Sequence, residues 1–379
     1  MQKIRYFDSA ATTIMSKTAL DVYQKVASTY IGNPSSLHAE GVRSKKQLEQ
    51  SRSKLAGLLA VPKESLTFTG GASEANAIIF NSLIWKKQKP HVIISNIEHS
   101  SIKEYVRLMK YLGWEVTALN APGGFIKAED LRKALTKQTR LVSLMLVNNV
   151  VGTIQDIKAL SAVIRAYEQE FGGRKIHFHT DATQAFGKVP FSLEDLGVDS
   201  AAFSAHKFHG PKGVGFLYNT DPALESLSRG GGQEAGLRAG TENLPGIVSM
   251  VASAEEAFSG FEEYGKRVRH INALLRQRLS TLHVISPEHD CSPYILNIAT
   301  GRLPSEVFTR MLYDKGFCVS SGSACSNNAK QKEAGILEAM QISPSITKSS
   351  IRISFSRDTT TEDAEALALA ITTIIQEHA

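Results

Sequence analysis

A chain of 379 residues, with 42% hydrophobic and 21% charged side chains, is long and apolar enough for one large domain and a smaller one. The formal charge of +6 comes from 43 basic and 37 acidic residues that are interspersed along helical stretches, so we expect no direct nucleic-acid binding. No apolar run is long enough for a membrane helix, and residues 1–13 lack the layout of a signal peptide, which predicts a cytoplasmic protein without a membrane partner.

Short apolar runs alternate with longer amphipathic segments from about Ser65 to Tyr218, which predicts strands feeding helices in a mostly parallel sheet. Apolar residues recur every three or four positions from Ile157 to Phe171 and predict a helix with one buried face. Beyond Gly246 the pattern changes and predicts a second domain. The predicted strands are Leu66 to Thr69, Val92 to Ser95, Leu141 to Val147, Ile176 to Thr180, Ala201 to Ser204 and Val214 to Tyr218, and the last predicted helices run from Ser305 to Lys315 and from Glu362 to Glu377.

Ligands of such sheets bind beyond the carboxyl ends of the strands, so polar residues that follow the predicted strands are candidates for a site. The segment TGGASE at 69–74 ends a strand and opens a helix, where backbone N–H groups and the Ser73 hydroxyl can bind a phosphate. Asp181 follows another strand, and a buried carboxylate there needs a cationic partner such as a pyridinium nitrogen. The plainer alternatives are a glycine turn capped by Ser73 and a helix cap at Asp181.

Lys207 and His99 follow two further predicted strands. Lysines are nearly always at the surface, but Lys207 follows a buried strand, and partial desolvation would make its amine the nucleophile that Schiff-base chemistry requires. The imidazole of His99 suits stacking on an aromatic cofactor ring, and a structural histidine is the equal alternative. We expect no metal site, because no pair of histidines four residues apart lies on a predicted helix with a third ligand nearby.

The three cysteines are too few for a disulfide framework and lack the spacing of a zinc site. Cys325 lies in the small-residue segment SSGSACS, and an exposed thiol in such a loop suits a nucleophile that reaches a substrate and then a partner. Cys291 and Cys318 adjoin apolar residues and are interpreted as core or incidental.

Taken together, these segments resemble the cysteine desulfurases of the class V aminotransferase family, which bind pyridoxal 5′-phosphate (PLP). The resemblance runs nearly from end to end, and SSGSACS with the polar stretch after it resembles the branch that supplies iron–sulfur cluster scaffolds or tRNA thiolation. The matching segments are YFDSAATT at 6–13, GNPSSLHAEG at 32–41, GGASEAN at 70–76, IEHSSI at 97–102, VNNVVGTIQDI at 147–157, HTDATQAFGKVP at 179–190, SAHKFHGPKGVGFLY at 204–218, GGGQEAGLRAGTEN at 230–243, SSGSACS at 320–326 and SSIRISFSR at 349–357.

The fold that this resemblance implies is the α/β fold type I of PLP-dependent transferases. A large domain of residues 14–258 would contain a mostly parallel seven-stranded sheet. Residues 1–13 together with 259–379 would form a smaller α+β domain that carries the Cys325 loop.

The resemblance also implies a role for each candidate. Lys207 would hold PLP as a Schiff base, Asp181 would pair with the ring nitrogen, and His99 would stack on the ring. Gln184 would contact the ring hydroxyl. The remaining implied ligands are Ala72, Ser73, Ser204 and His206 for the phosphate, Thr241 for the phosphate of the partner subunit in a homodimer, and Asn149 and Arg352 for the substrate, with Arg352 on its α-carboxylate.

The implied reaction converts L-cysteine to L-alanine. The freed Lys207 amine would shift a proton from the substrate Cα, with PLP as electron sink, and the Cys325 thiolate would attack the substrate sulfur. The persulfide on Cys325 would then pass its sulfur to an acceptor protein, either an iron–sulfur scaffold or a thiolation enzyme.

Two positions depart from the family pattern: Val150 stands where the family usually has Glu, and Ala235 where it usually has Arg. Both changes remove a charge near the expected mouth of the site, so a non-catalytic homologue that binds a scaffold is one alternative. Another PLP enzyme of the family, such as a selenocysteine lyase or an aminotransferase, is a second alternative, against which Cys325 argues.

Overall fold

The computed structural model describes residues 4–85, 89–172, 175–301, 303–321 and 334–378. Within these ranges, no helix combines the length and the apolar character that crossing a bilayer requires.

The main sheet has seven strands among the described residues, in the order β2, β8, β7, β6, β5, β3, β4. The pairs from β7 through β6, β5 and β3 to β4 are parallel, whereas β8 is antiparallel to both of its neighbours. The other six strands therefore end at one common edge. Strands β1 to β13 are Arg5–Tyr6, Leu66–Thr69, His91–Ser95, Glu115–Leu119, Thr139–Ser143, His177–Asp181, Ser200–Ser204, Gly215–Asn219, His283–Val284, Ile295–Ala299, Phe317–Cys318, Ser320–Ser321 and Ser350–Ser354.

The helices begin at polar caps that their sequences supply. Ser16, Asp156 and Thr360, for example, each accept a hydrogen bond from a first-turn backbone N–H group. Helices α1 to α13 are Lys17–Thr29, Ala39–Leu59, Ala72–Ser82, Ser100–Tyr111, Ala128–Ala134, Ile157–Phe171, Leu193–Leu196, Leu244–Ser259, Phe261–Arg278, Ser305–Asp314, Ala334–Ala339, Pro344–Lys348 and Thr361–Glu377.

The predicted mostly parallel α/β fold is confirmed, with three local differences. Strand β4 was not predicted, because it lies at the sheet edge and four of its five side chains are half-buried or exposed, so no buried apolar run marks it. The strand predicted from Leu141 to Val147 ends at Ser143, although the N–H groups of Leu144 and Leu146 still donate to the carbonyls of His179 and Asp181 in β6. Phe171 was predicted on the buried face of α6 but is exposed at the helix end, where its ring packs on Tyr167 with 4.7 Å between centroids.

A second core lies apart from the main sheet. It combines Phe7 with apolar residues between Val268 and Ile374, around the antiparallel sheet of β12, β13, β10 and β9. Strand β1 pairs with β11, so the segment before α1 belongs to this part of the fold. These two cores support the division into residues 14–258 and residues 1–13 with 259–379, which stays a prediction.

A buried ion pair holds the turn that contains Ala235. Glu234 and Ala235 have φ angles of +49° and +55°, in the left-handed region that side chains disfavour. Arg52 donates to both carboxylate oxygens of Glu234 at 2.8 Å, and the backbone N–H of Phe68 donates to the same carboxylate at 2.7 Å. These bonds fix a backbone conformation that the residue types alone would not favour.

We expect Arg52→Ala to lower the free energy of unfolding by roughly 3–5 kcal/mol, because the Glu234 carboxylate would stay buried without its partner. Lys54→Ala is the matched control, since Lys54 pairs with Glu255 in an exposed position, and its loss should cost about 1 kcal/mol or less. Urea unfolding of the three proteins measures both values. Equal losses in the two variants would contradict this account of the turn.

Candidate active site

Residues that follow the common edge of the main sheet line one cavity of about 880 Å³. Among the described residues, every predicted site residue except Thr241 contributes to its wall. These residues are Ala72, Ser73, His99, Asn149, Asp181, Gln184, Ser204, His206, Lys207 and Arg352. Cys325 lies outside the described residues.

Asp181 ends β6 and is held in place by neighbouring donors. The amide of Asn76 donates to one carboxylate oxygen at 2.9 Å, and the backbone N–H of Thr183 donates to the other at 3.0 Å. Asp181 is 5% exposed. A buried carboxylate of this kind can pair with a protonated ring nitrogen at the cavity.

Asn76 connects Asp181 directly to His179 and, through the Ser101 hydroxyl, to His99. Its amide nitrogen also donates to the Ser101 hydroxyl at 2.9 Å, and its amide oxygen lies 2.9 Å from Nε2 of His179. Because that oxygen can only accept, His179 must donate from Nε2. Asn76 is fully buried, so sequence reasoning found the segment GGASEAN but not the role of its last residue.

His99 caps α4 and lies beside the cavity. Its Nδ1 accepts the backbone N–H of Ser101 at 3.1 Å and lies 2.9 Å from the Ser101 hydroxyl. In this arrangement the ring proton of neutral His99 is on Nε2. The chain before it is fixed by Glu98, which accepts from Ser95 at 2.5 Å and from the backbone N–H of Met145 at 2.9 Å. Burial raises the pKa of Glu98 to about 8.

The start of α3 offers an anion site. Gly71 precedes the helix with a φ of +145°, and no side chain in the described ranges caps the first turn. A Cβ on Gly71 would lie 3.4 Å from the Ser204 hydroxyl, and a Cβ on Gly215 would lie 2.7 Å from Gly71. The two glycines thus allow the close approach of β8 and the turn, and leave backbone N–H groups for an anion.

His206 lines the same cavity as the start of α3 and is neutral at pH 7. Burial, followed by the nearby Lys207 and Lys188, lowers the pKa of His206 to about 4. Its Nδ1 lies 3.0 Å from the Thr12 hydroxyl. His206 therefore offers hydrogen bonds at neutral pH without adding a charge.

The amine of Lys207 is fixed by the segment before α1. It donates to the carbonyl oxygens of Ala10 at 2.7 Å and Ala11 at 2.6 Å. The amide nitrogen of Gln184 donates to the same Ala10 carbonyl at 2.8 Å, and the amine of Lys188 donates to the Gln184 amide oxygen at 3.0 Å. Burial, then Lys207 and Arg352, lower the pKa of Lys188 to about 7.

The Arg352 guanidinium lies in the cavity wall on β13 and is 2% exposed. It donates to the carbonyl of Asn149 at 3.0 Å, to Asp8 at 3.0 Å and to the Ser320 hydroxyl at 2.9 Å. The amide oxygen of Asn149 is buried and has no hydrogen-bond partner within the described part of the chain. Arg352 and Asn149 thus lie together at the cavity, and Asp8 and Ser320 are additions that the sequence analysis missed.

Thr241 and the two departures from the family pattern lie away from the cavity wall. Thr241 is exposed, 3.5 Å from the Asn33 amide nitrogen. Ala235 adjoins the buried Arg52 pair instead of the site mouth. Val150 was expected near the mouth but is fully buried, because the side chain of Asn148 accepts the N–H groups of residues 150 and 151 and turns the chain inward. The apolar cluster around Val150 includes Ile97, Met145, Ile336 and Leu337.

Comparison with known proteins identifies the family. Residues 5–367 match the family model described as aminotransferase class-V. The chain belongs to the class-V aminotransferase family. The resemblance to cysteine desulfurases is confirmed by the cysteine desulfurase IscS of Dictyoglomus turgidum, which is 33% identical over 371 residues that cover 96% of this chain and 92% of that protein.

Two solved structures of similar proteins support this family assignment. A NifS-like protein has a TM-score of 0.91 and 32% identity, with 98% of this chain and 99% of that chain covered. SspA in complex with cysteine has a TM-score of 0.79 and 30% identity, with 93% of this chain and 98% of that chain covered.

Class-V membership implies PLP as cofactor, and the residues at the cavity fit that group. A phosphate fits the uncapped start of α3, and a protonated ring nitrogen fits the buried carboxylate of Asp181. Lys207 supplies an amine at the same cavity.

We expect the free energy of unfolding to fall as the pH is lowered from 6.5, in part through His179. Burial, followed by the neighbouring His177, lowers the pKa of His179 from 6.5 to about 3. Between these pH values the unfolded chain binds a proton at His179 that the folded chain does not, so acid favours unfolding. The effect fades over about one pH unit above 6.5, where the unfolded chain no longer binds this proton.

Urea unfolding of wild type and His179→Gln at about pH 7, 6 and 5 measures this contribution. The variant should lose stability less steeply than wild type, because it lacks one of the residues that take up a proton on unfolding. Far-UV circular dichroism at pH 7 checks that the variant is folded. The same pH dependence in both proteins would assign the loss to other groups.

Proposed function

We propose that this chain is a cysteine desulfurase, which converts L-cysteine to L-alanine and takes the sulfur onto Cys325. The observation that carries the proposal is one cavity lined by an amine, a buried carboxylate and a guanidinium, from Lys207, Asp181 and Arg352. The relative named cysteine desulfurase and the similar structure in complex with cysteine support L-cysteine as the substrate.

PLP is the proposed cofactor, and it supplies the electron sink for chemistry at the substrate Cα when it is bound. Lys207 holds it covalently, Asp181 keeps its ring nitrogen protonated, and His99 lies against the ring. Gln184 binds the ring hydroxyl. The first turn of α3 and nearby polar groups bind the phosphate, namely Ala72, Ser73, Ser204 and His206.

Arg352 and Asn149 bind the substrate in this proposal. The guanidinium takes the α-carboxylate, and the Asn149 amide oxygen, which lacks a partner among the described residues, is available to a substrate donor. The Lys207 amine removes the Cα proton and returns it during the reaction. The carbonyls of Ala10 and Ala11 hold that amine at the cavity.

Cys325 is the proposed sulfur acceptor. Its thiolate attacks the substrate sulfur, so that a sulfur–sulfur bond forms and the carbon–sulfur bond breaks. The electron pair of the broken bond stays on carbon, which takes a proton and gives alanine. A second protein, an iron–sulfur scaffold or a thiolation enzyme in the cytoplasm, then takes the sulfur from Cys325.

A homodimer with shared active sites is part of the proposal. Thr241 is exposed and outside the cavity of its own chain, as a residue that serves a second subunit would be. Exposed apolar side chains are frequent from residue 14 to residue 42, around α1 and the start of α2, and suit burial against a second copy. Its exposed members are Ile14, Leu20, Tyr23, Ile31, Leu37 and Val42.

We expect PLP-loaded wild type to form equal amounts of alanine and sulfide from L-cysteine and a thiol reductant without oxygen. Cys325→Ala should form neither, because the sulfur acceptor is missing. Cys291→Ala is the matched control and should keep full activity, since that thiol is half-buried against the Val151 carbonyl at 3.3 Å. Alanine and sulfide are quantified for all three proteins.

Full activity of Cys325→Ala would exclude the persulfide and favour a selenocysteine lyase or another PLP enzyme of the family. Wild type that binds PLP but forms no alanine would indicate a different amino-acid substrate or a non-catalytic role.

Mixed dimers test whether Thr241 serves the partner subunit. A dimer of one Lys207→Ala subunit and one Thr241→Glu subunit should retain about half of the wild-type activity, because one site keeps an intact lysine and an intact threonine. A dimer of wild type with a subunit that carries both substitutions should have none. An inactive first dimer and a second dimer with about half of the wild-type activity would assign Thr241 to the site of its own chain.

A further inference from the structure

One carboxylate oxygen of Asp8 contacts two residues at the edge of the cavity. Oδ1 accepts from Nη2 of Arg352 at 3.0 Å and from the hydroxyl of Ser320 at 2.9 Å. The same Nη2 also donates to the Ser320 oxygen at 2.9 Å. The three groups therefore form a closed triangle of hydrogen bonds, in which Arg352 and Ser320 face each other as a pair in the sheet of β12 and β13.

The backbone at Asp8 is held on both sides. The N–H of Phe7 donates to the carbonyl of Cys318 at 2.8 Å, and the carbonyl of Phe7 accepts from the N–H of Ser354 at 2.8 Å. The N–H of Ala10 donates to the Ser354 hydroxyl at 2.9 Å. The Asp8 carboxylate is thus presented to Arg352 from a fixed backbone, without a long flexible side chain.

The charge of Asp8 matters because Arg352 is buried. The side chain of Arg352 is 3% exposed, whereas that of Asp8 is 21% exposed. A buried guanidinium needs a counter-charge and fixed acceptors to keep one orientation. Asp8 supplies the counter-charge and one acceptor at Nη2, and the Asn149 carbonyl accepts from Nη1.

We propose that Asp8 is a positioning residue that orients Arg352 for a substrate carboxylate, with the Ser320 hydroxyl in the place that a carboxylate oxygen takes on binding. This inference rests on the proposed function, in which Arg352 binds the α-carboxylate. Bidentate binding needs parallel N–H donors from the guanidinium, and both N–H bonds of Nη2 are used by Asp8 and Ser320. Ser320 can release Nη2 and keep its own bond to Asp8. Release of Nη2 by Asp8 would instead take the charged acceptor away from a buried guanidinium.

Asp8→Ala should raise the KM for L-cysteine about tenfold or more, because a guanidinium that loses a charged acceptor loses its orientation. Ser320→Ala should lower the KM about threefold, because no hydroxyl then competes for Nη2. Asp8→Asn keeps an oxygen acceptor without the charge, and its KM should lie between wild type and Asp8→Ala. The kcat should change less than the KM in all three variants, as initial rates of alanine formation show.

Asp363→Ala is the matched control for Asp8→Ala. Asp363 is 22% exposed and accepts from Arg5 at 2.8 Å, so it forms a similar aspartate–arginine pair away from the cavity. Its loss should leave the KM unchanged. Thermal unfolding of each variant checks that the fold is retained.

A merely structural role for Asp8 predicts a lower unfolding temperature and an unchanged KM in Asp8→Ala, and this result would overturn the inference. A lower KM in Asp8→Ala would do so too, since Asp8 would then compete with the substrate. A KM raised by Ser320→Ala to the same extent as by Asp8→Ala would contradict the role given to the hydroxyl.

Calorimetric titration with L-alanine separates this inference from the proposed function. L-Alanine carries the same α-carboxylate but no sulfur, so its affinity depends on Arg352 without any desulfuration. Weaker binding by Asp8→Ala and tighter binding by Ser320→Ala would support the inference even if wild type formed no alanine from cysteine. Equal affinity in all variants would overturn it whatever the activity with cysteine.

Discussion

The parallel pairing of β7, β6, β5 and β3 is the constraint on which the cavity depends. Parallel strands end at the same edge of a sheet, so side chains that follow different strands meet there although they are far apart in the chain. His99 and Lys207 follow two of these strands, and Asp181 ends a third. The antiparallel β8 lets β2 end at the same edge, which adds the start of α3 and its anion site.

Much of this arrangement could be predicted, because buried strands are short apolar runs and the functional residues come directly after them. Asp181 and Lys207 are recognisable for that reason. What could not be predicted depends on contacts between distant segments. Asn76 is 105 residues from Asp181 and Asp8 is 344 residues from Arg352, and neither distance leaves a periodic pattern in the sequence. Val150 was predicted near the mouth of the site but is buried, because the local turn at Asn148 sets the direction of its side chain.

Burial decides which groups carry charge at the cavity. It lowers the pKa of His206 to about 4, and it combines with Lys207 and Arg352 to lower the pKa of Lys188 to about 7. At neutral pH His206 is therefore uncharged and Lys188 carries only part of its charge, while the start of α3 adds partial positive charge without titrating. His206 therefore does not change charge in the range in which histidines usually do, whereas Lys188 changes charge within that range.

The segment from Asp8 to Thr13 also sets the order in which the site can be assembled. Its carbonyls and carboxylate contact Lys207, which is 197 residues further along, and Arg352, which is 344 residues further along. During synthesis these partners leave the ribosome at different times, and Arg352 emerges long after the main sheet could have formed. The large core can fold while the chain is still growing, but the substrate end of the cavity closes last, when β13 brings Arg352 to a segment that was made first.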